Sequence, residues 1–367
     1  MRKIRVLVVD DSTVIRRLLT DSLASDPDLE VAGTAANGKI ALAKITQVNP
    51  DVITLDMEMP EMDGITTLVE IRKLYPKLPV IMFSTLTQRG AEATLDALAK
   101  GANDYVTKPA NVGSVTAAMQ NVRNELVPKI KAFCPWLAKC PVTPLRPRPS
   151  NKPNLTVQNR SPEISRIDIV AIGSSTGGPN ALQAVLAKIP ENFPVPIVVV
   201  QHMPPIFTKH LADRLRQLTS LNVVEAKRGD VLASGGVWIA PGDFHMTLGR
   251  QGTAMRIDLN QGTPENSCRP AVDVLFRSVS ELYGPNVLSV VLTGMGQDGA
   301  RGCEVIRNAG GRVFAQDEET SVVWGMPGAV AQAGLADKIL PLDKIADEIV
   351  RETIMGRKPR TLEKVGT

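Results

Sequence analysis

The sequence predicts an α/β protein with two domains, each built on a mainly parallel sheet. Three observations support this: the chain has 367 residues, strand-like and helix-like segments alternate in both halves, and a proline-rich segment separates the halves. This length favours two domains, and the alternation implies parallel strands covered by helices. We divide the chain into a first domain (1–125), a linker (126–164), a second domain (165–355) and a tail (356–367).

The first half shows five cycles of strand and helix. Each predicted strand is a short apolar run, and each is followed by a turn signal and an apolar pattern of helical period. The strands are predicted at 4–9, 30–35, 51–55, 79–83 and 104–106, with helices beginning near Thr13, Gly38, Gly64, Gln88 and Gly113.

Residues 128–160 differ in composition from both flanks. They contain prolines and basic residues throughout and no Asp or Glu. Proline removes backbone donors and like charges repel, so this stretch is predicted to be an extended linker. Contact with an acidic partner or a lipid head group is the alternative.

The second half alternates less regularly. Short alternating runs with Gly and Pro breaks at 231–259 predict an antiparallel patch beside a mainly parallel sheet. Buried strands are predicted at 167–172, 196–200 and 287–292, and helices at 179–189, 208–218, 270–283, 300–309 and 342–355.

Net charge, cysteine spacing and the lengths of apolar stretches limit the classes of protein to which this chain can belong. The formal net charge of +4 is small for this length, which argues against nucleic acid as the main ligand. The four cysteines have no metal-ligand or redox spacing, so free thiols in a reducing compartment are expected. No signal-peptide core or membrane-spanning apolar stretch is apparent, so we expect a cytoplasmic protein without direct membrane insertion.

Polar residues follow the predicted strands of the first domain. Asp10 and Asp11 follow the first strand, Asp56 the third, Ser84 the fourth and Lys108 the fifth. Ligands gather at the carboxyl ends of parallel strands, so these groups should converge. Three carboxylates repel one another unless a cation relieves them, and hard oxygen ligands suit Mg²⁺. Lys108 could pair with an added phosphoryl group.

Residues 1–125 resemble response-regulator receiver domains, which are flavodoxin-like five-stranded parallel folds. The resemblance rests on Val9-Asp10-Asp11-Ser12, on the run from Leu55 to Gly64, on Ser84, and on Thr107-Lys108-Pro109. It implies that Asp56 accepts phosphate from a histidine kinase with Mg²⁺ held by Asp10, Asp11 and Asp56. It also implies that Ser84 and Lys108 sense the phosphoryl group. A cis bond before Pro109 is a further expectation.

A glycine-rich turn in the second domain offers a nucleophile. Gly173-Ser174-Ser175-Thr176-Gly177 has the pattern Gly-x-Ser-x-Gly and lies between a predicted strand and a helix. A serine at such a turn needs a base, and the chain has three histidines. His202 follows a predicted strand and is preferred. His210 lies in a helical pattern, and His245 follows a loop.

The base needs an orienting carboxylate. Asp298 is preferred because it follows a predicted strand in a glycine-rich turn, with Asp243, Asp273 and Asp317 as rivals. The order Ser175, His202, Asp298 differs from that of α/β-hydrolases. A nucleotide-phosphate loop is the rival interpretation of the glycines, but the spacing differs and a Walker lysine is absent.

The second domain resembles the catalytic domain of bacterial chemotaxis protein-glutamate methylesterases, and a Rossmann-like fold is expected. The resemblance rests on the blocks 172–179, 201–205, 238–242, 269–276 and 292–300. It implies a triad of Ser175, His202 and Asp298, with Thr176 and the Met295 N–H lining the oxyanion site. The family usually has a serine near Ala271, a departure that touches none of these positions.

The two resemblances together imply a phosphorylation-regulated esterase that needs no cofactor for its ester chemistry. Its substrates would be glutamate methyl esters of chemoreceptors, with deamidation of receptor glutamines as a side activity. The unphosphorylated receiver would shield Ser175. The alternatives are a non-enzymatic response regulator whose second domain binds a partner, and a DNA-binding output. The latter is disfavoured because no helix-turn-helix module is visible.

Overall fold

The computed structural model describes residues 2–108, 115–134, 166–355 and 357. Two parallel sheets dominate it, and helices connect most of the consecutive strands of each. Within these ranges no helix is both long and apolar enough to cross a bilayer. The predicted cis bond before Pro109 and most of the predicted linker lie outside the described residues.

The first domain is a five-stranded parallel sheet, as the sequence predicts, and its strand order is β2-β1-β3-β4-β5. Four of its strands are apolar and almost fully buried because helices cover both faces, whereas most residues of the edge strand β2 are partly exposed. The strands are β1 (Ile4–Val9), β2 (Leu29–Ala35), β3 (Val52–Asp56), β4 (Val80–Ser84) and β5 (Asp104–Thr107). The helices are α1 (Thr13–Ala24), α2 (Gly38–Val48), α3 (Gly64–Leu74), α4 (Gln88–Ala99) and α5 (Val115–Phe133).

In four of these helices, the side chain of the residue just before the helix caps its first turn. The N-cap residue of each accepts a hydrogen bond from a backbone N–H of the first turn, which satisfies a donor that the helix leaves free. These caps are Ser12, Asn37, Asp63 and Thr87. Helix α5 continues through Pro128 to Phe133, so it overlaps the first residues of the predicted linker.

The second domain is built on a seven-stranded parallel sheet in the order β14-β13-β12-β6-β7-β9-β8. Strands β7, β8 and β9 lie on one side of β6, and the later strands β12, β13 and β14 lie on the other. The direction of strand order therefore reverses next to β6. Its strands are β6 (Ile169–Ser174), β7 (Ile197–Gln201), β8 (Asn222–Glu225), β9 (Gly236–Ile239), β12 (Val287–Val291), β13 (Arg312–Gln316) and β14 (Lys338–Leu340). Its helices are α6 (Gly178–Leu186), α7 (Phe207–Leu218), α8 (Val272–Tyr283), α9 (Ala300–Asn308), α10 (Met326–Gln332) and α11 (Leu342–Met355).

The antiparallel patch is smaller than its predicted range. Strands β10 (His245–Gln251) and β11 (Ala254–Asn260) form an antiparallel pair, as expected. Strand β9 lies in the same predicted range but pairs in parallel with β7 and β8. The short alternating runs of this region did not distinguish a central parallel strand from a hairpin strand, because all four residues of β9 are buried.

Candidate functional site

The carboxylates of the first domain converge where the strand order of its sheet reverses. Asp10 follows β1 and Asp56 ends β3, and these two strands are neighbours. Carboxylate oxygens of Asp10, Asp11 and Asp56 lie within 4.8 Å of one another, with Asp10 and Asp56 buried and Asp11 exposed. Such a crevice at the carboxyl edge of a parallel sheet is a common ligand site.

Lys108 lies against this cluster. Its Nζ is 2.7 Å from Asp56 Oδ1 and 3.1 Å from Asp10 Oδ2. Burial raises the pKa of Asp56, the hydrogen bond from Lys108 lowers it and the charge of Asp10 raises it, so that it reaches about 6. The other oxygen, Oδ2 of Asp56, is buried and accepts no hydrogen bond from any described residue. This free oxygen and the exposed Asp11 fit the predicted Mg²⁺ ligand set.

Ser84 ends β4, but its hydroxyl is bonded to α4 rather than to the carboxylates. Ser84 Oγ donates to the Gly90 carbonyl at 3.2 Å and accepts from Thr94 Oγ1 at 2.8 Å. A side-chain rotation would be needed to bring it to a phosphoryl group on Asp56.

Ser175 lies at the turn between β6 and α6. Its N–H donates to the Thr293 carbonyl at 3.0 Å, which ties the turn to the loop after β12. Gly177 has a φ of 76°, a left-handed conformation that glycine adopts without strain. A Cβ on Gly294 would lie 2.9 Å from Ser175 Cβ, so only glycine allows this loop to approach the serine so closely.

His202 follows β7, and Asp298 lies in the loop after β12. His202 Nε2 is 2.8 Å from Asp298 Oδ2. Both groups are largely enclosed, with side-chain exposures of 12% and 2%. Burial raises the pKa of Asp298, but its hydrogen bonds and the charge of His202 lower it below its usual range. The pair has the geometry in which a carboxylate orients an imidazole.

The second ring nitrogen of His202 faces Cys268 rather than Ser175. Cys268 Sγ lies 3.6 Å from His202 Nδ1, and among the described residues no hydrogen bond joins Ser175 to His202. Burial alone lowers the pKa of His202, but the bonds to Asp298 and Cys268 raise it to about 10. Catalytic hydrogen bonds are often loose without substrate, so this arrangement leaves Ser175 as a candidate.

The rival residues have other partners. Asp243 pairs with Arg269, Asp273 accepts from the Gly302 N–H at the start of α9, and Asp317 caps a turn at Thr320. His245 has both ring nitrogens bonded to backbone groups, and His210 lies on α7.

The two candidate oxyanion residues keep free amides. Neither the Thr176 N–H nor the Met295 N–H donates to a backbone carbonyl among the described residues. Met295 follows Gly294, the residue packed on Ser175. The Thr176 hydroxyl, however, donates to Asp104 Oδ2 of the first domain at 2.7 Å.

The candidate site opens into a pocket shared by both domains. Ser175, Thr176 and His202 line one side of it, and residues of β5 and α5 line the other. Tyr105 stacks on Phe207 at 4.9 Å between ring centroids. Two further bonds join the domains, from Asn180 to the Leu98 carbonyl and from Arg214 to Asp96.

Sequence reasoning missed four residues of this site. Cys268 and Asn266 reach His202 and Asp298 from an irregular loop, which has no periodic pattern to identify it. Gln201 ends β7, and its position at a strand end does not distinguish it from a buried structural glutamine. Asp104 belongs to the other domain, and no local pattern reports a contact between domains.

Comparison with known proteins identifies both halves. Residues 170–349 match the family described as CheB methylesterase, and residues 6–120 match the response regulator receiver domain. A protein-glutamate methylesterase/protein-glutamine glutaminase of Trichodesmium erythraeum is 56% identical over 96% of this chain and 99% of its own length. A protein of the same name from a Nocardioides species is 53% identical over 97% of both chains.

A solved structure supports the match of residues 170–349 to the methylesterase family. The CheB methylesterase catalytic domain of Thermotoga maritima is 46% identical, with a TM-score of 0.50, over 50% of this chain and 98% of that domain. The matches to named enzymes favour an enzyme over the non-catalytic response regulator that the sequence left open.

Proposed function

This chain belongs to the family of protein-glutamate methylesterase/protein-glutamine glutaminases with a receiver domain, and we propose that Ser175, His202 and Asp298 carry its ester hydrolysis. The observation that carries the proposal is the 2.8 Å contact of Asp298 with His202, which lines the same pocket as Ser175. The substrates we propose are glutamate γ-methyl esters of chemoreceptors, with receptor glutamines as a second substrate.

The chemistry follows from which nitrogen of His202 is free. Asp298 holds Nε2, so Nδ1 is the nitrogen left to take the proton of Ser175 as Oγ attacks the ester carbonyl, and for this step Nδ1 exchanges its contact with Cys268 Sγ for one with Ser175 Oγ. The imidazolium then gives this proton to the departing methoxide, and methanol leaves. Water hydrolyses the acyl-enzyme by the same proton transfers and releases the glutamate side chain. With glutamine as substrate, ammonia leaves instead.

The free amides of Thr176 and Met295 supply the oxyanion site. Backbone N–H groups without an acceptor can bind the oxygen that becomes charged in the tetrahedral intermediate. Each such donor contributes about 3 kcal/mol to transition-state stabilisation.

The test is methanol release from methylated receptor membranes by wild type and Ser175→Ala. Loss of the nucleophile is expected to lower turnover by a factor on the order of 10⁴ or more. A serine-directed fluorophosphonate probe should label the wild type at Ser175 and leave Ser175→Ala unlabelled. A loss of turnover under about tenfold would reject Ser175 as the nucleophile.

We propose that phosphorylation of Asp56 regulates this site. Asp10, Asp11 and Asp56 would hold Mg²⁺, which supplies charge neutralisation for phosphoryl transfer from a histidine kinase. Lys108 lies within 2.7 Å of Asp56 and can pair with the added phosphoryl oxygens. The phosphoryl group adds about two negative charges at this edge of the receiver.

Asp56→Asn tests the regulation. Wild type is expected to turn over faster with a small-molecule phosphodonor and Mg²⁺, whereas the variant, which lacks the acceptor carboxylate, is not. Removing Mg²⁺ with a chelator should abolish the stimulation of wild type. Equal stimulation of wild type and variant would contradict this mechanism.

A further inference from the structure

Gln201 is the last residue of β7 and lies between the strand ends that carry Ser175 and His202. Its side chain is 2% exposed and makes three hydrogen bonds, all to residues of these two strand ends. A buried amide that is fully engaged in this way holds its partners rigidly.

The amide nitrogen of Gln201 bonds two carbonyl oxygens. Nε2 donates to the Ser175 carbonyl at 2.9 Å and to the His202 carbonyl at 3.2 Å. One side-chain group therefore holds the backbone of both the proposed nucleophile and the proposed base.

The orientation of the Gln201 amide is itself fixed. Its Oε1 accepts from Ser174 Oγ at 2.7 Å, so the nitrogen is directed at the two carbonyls. A Cβ on Gly178 would lie 2.0 Å from Oε1, so glycine at the start of α6 leaves the space that the amide fills.

Holding the Ser175 carbonyl also sets the direction of the next N–H. The Ser175–Thr176 peptide is trans, so its N–H points opposite to its carbonyl oxygen. With the oxygen bonded to Gln201, the Thr176 N–H is turned away from Gln201 and has no backbone acceptor among the described residues. The Gly178 N–H also donates to this carbonyl at 2.7 Å, so the turn retains one restraint without Gln201.

We propose that Gln201 is a positioning residue for the esterase, which holds the Ser175–Thr176 peptide with its N–H free for the substrate oxyanion and holds His202 beside it. This inference rests on the proposed function of Ser175, His202 and Thr176. Gln201 itself touches no reacting atom in this assignment. Its loss therefore lowers the rate of the chemical step and leaves substrate binding unchanged.

The experiment compares Gln201→Met with wild type in the full chain, using methylated receptor membranes, Mg²⁺ and a small-molecule phosphodonor. Met has a similar length and no donor. We expect kcat to fall about ten- to a hundredfold, less than for complete loss of an oxyanion donor because the Gly178 bond remains. KM should stay within about twofold, and fluorophosphonate labelling of Ser175 should slow in parallel with kcat.

Gln316→Met is the matched control for loss of a buried glutamine at a strand end. Gln316 ends β13, is fully buried, and bonds Thr293 N–H and Thr320 rather than Ser175 or His202. Thermal unfolding of both variants measures the stability cost. The proposal requires the loss of kcat in Gln201→Met to exceed that in Gln316→Met by at least about fivefold.

Ser174→Ala keeps the test decisive if Gln201→Met does not fold. It removes only the hydroxyl that orients the amide, so a smaller loss of kcat with unchanged KM is expected. The proposal is overturned if a folded Gln201→Met or Ser174→Ala keeps wild-type kcat, or if KM rises while kcat is unchanged. In either case Ser175→Ala remains inactive, whereas an active Ser175→Ala would instead reject the proposed function.

Discussion

At the level of single residues, Asp298 is a buried carboxylate that the fold stabilises with several hydrogen bonds. It accepts from His202, from the side chain of Asn266, and from the backbone N–H groups of Val272, Asp273 and Gly299. Two of these amides open α8, where the helix dipole favours negative charge. The carboxylate therefore stays ionised although it is buried, and it can hold His202 in one orientation.

Cys268 should raise the pH at which His202 becomes an effective base. Burial lowers the pKa of His202, but the contacts with Asp298 and Cys268 raise it to about 10. Removing one of the two raising contacts lowers this pKa. In Cys268→Ala the neutral base then forms at lower pH, and the rising limb of kcat/KM should move to lower pH.

The measurement is the pH dependence of methanol release for Cys268→Ala and for Cys303→Ala as control. Cys303 is a buried thiol of the same domain whose side chain contacts Ser289. Its loss should leave the midpoint of the rising limb unchanged. A midpoint in Cys268→Ala that is unchanged or higher would show that Cys268 does not set the pKa of His202.

At the level of secondary-structure elements, the two domains differ in which residues cap the first turns of their helices. Four receiver helices carry their own side-chain caps, whereas the starts of α8 and α9 are capped by residues distant in sequence. Asp298 caps α8, and Asp273, from α8, caps α9 through the Gly302 N–H at 2.7 Å. Helix capping thus links α8, α9 and the proposed triad in one network.

Asp273→Ala separates this capping role from catalysis. Loss of the cap is expected to cost about 1 kcal/mol, which lowers the melting temperature by about 2–4 °C. Turnover of the folded variant should stay within about tenfold of wild type, because Asp298 keeps all of its donors, including the backbone N–H of residue 273. Asp298→Ala should lower turnover by a factor on the order of 10⁴. Similar losses of turnover in both variants would reject the choice of Asp298 over Asp273.

At the scale of the whole molecule, the receiver domain contacts the candidate site through a hydrogen bond between Asp104 and Thr176. Asp104 accepts from the Thr176 hydroxyl and lies 3.3 Å from Lys129 Nζ. The ring of Tyr105, next in the chain, stacks on Phe207. Ser175 lines the pocket that these residues enclose, so we expect opening of this interface to ease the access of a substrate side chain.

Asp104→Ala is therefore expected to raise turnover without phosphodonor. Hydrogen bonds to charged groups contribute about 1.5–3 kcal/mol, and losing this one should favour the open state about tenfold or more. Asp96→Ala is the control, because its pair with Arg214 is partly exposed and contributes little.

Both changes should be measured by methanol release in an Asp56→Asn background, which removes any effect through phosphorylation. Asp104→Ala that stays at the basal rate there would reject this contact as part of the cover. A folded fragment lacking residues 1–150 should also exceed the basal rate of the full chain.

The sequence by itself predicted the elements of the first domain and most helices of the second, together with the residues proposed here as reactive, but it did not predict strands β8, β13 and β14 or helix α10. Period-2 and period-3.6 patterns located β1 and α1, and residues such as Asp10 and His202 could be placed because they directly follow buried strands. In a parallel sheet, strand ends meet at one edge, so chain position alone predicts that these residues approach one another. The parallel pairing of β9 with β7 and β8 could not be predicted in this way, because it depends on how the chain crosses over between these strands.

The tertiary structure alone decided which partners each reactive group has. The hydroxyl of Ser84 is bonded to α4, Cys268 reaches His202, and Thr176 meets Asp104 across 72 residues of sequence. Such contacts depend on side-chain rotamers, irregular loops and domain docking, and none of these produces a periodic pattern in the sequence. Local sequence therefore specified where the chemistry lies, and long-range packing specified the partners of each reactive group.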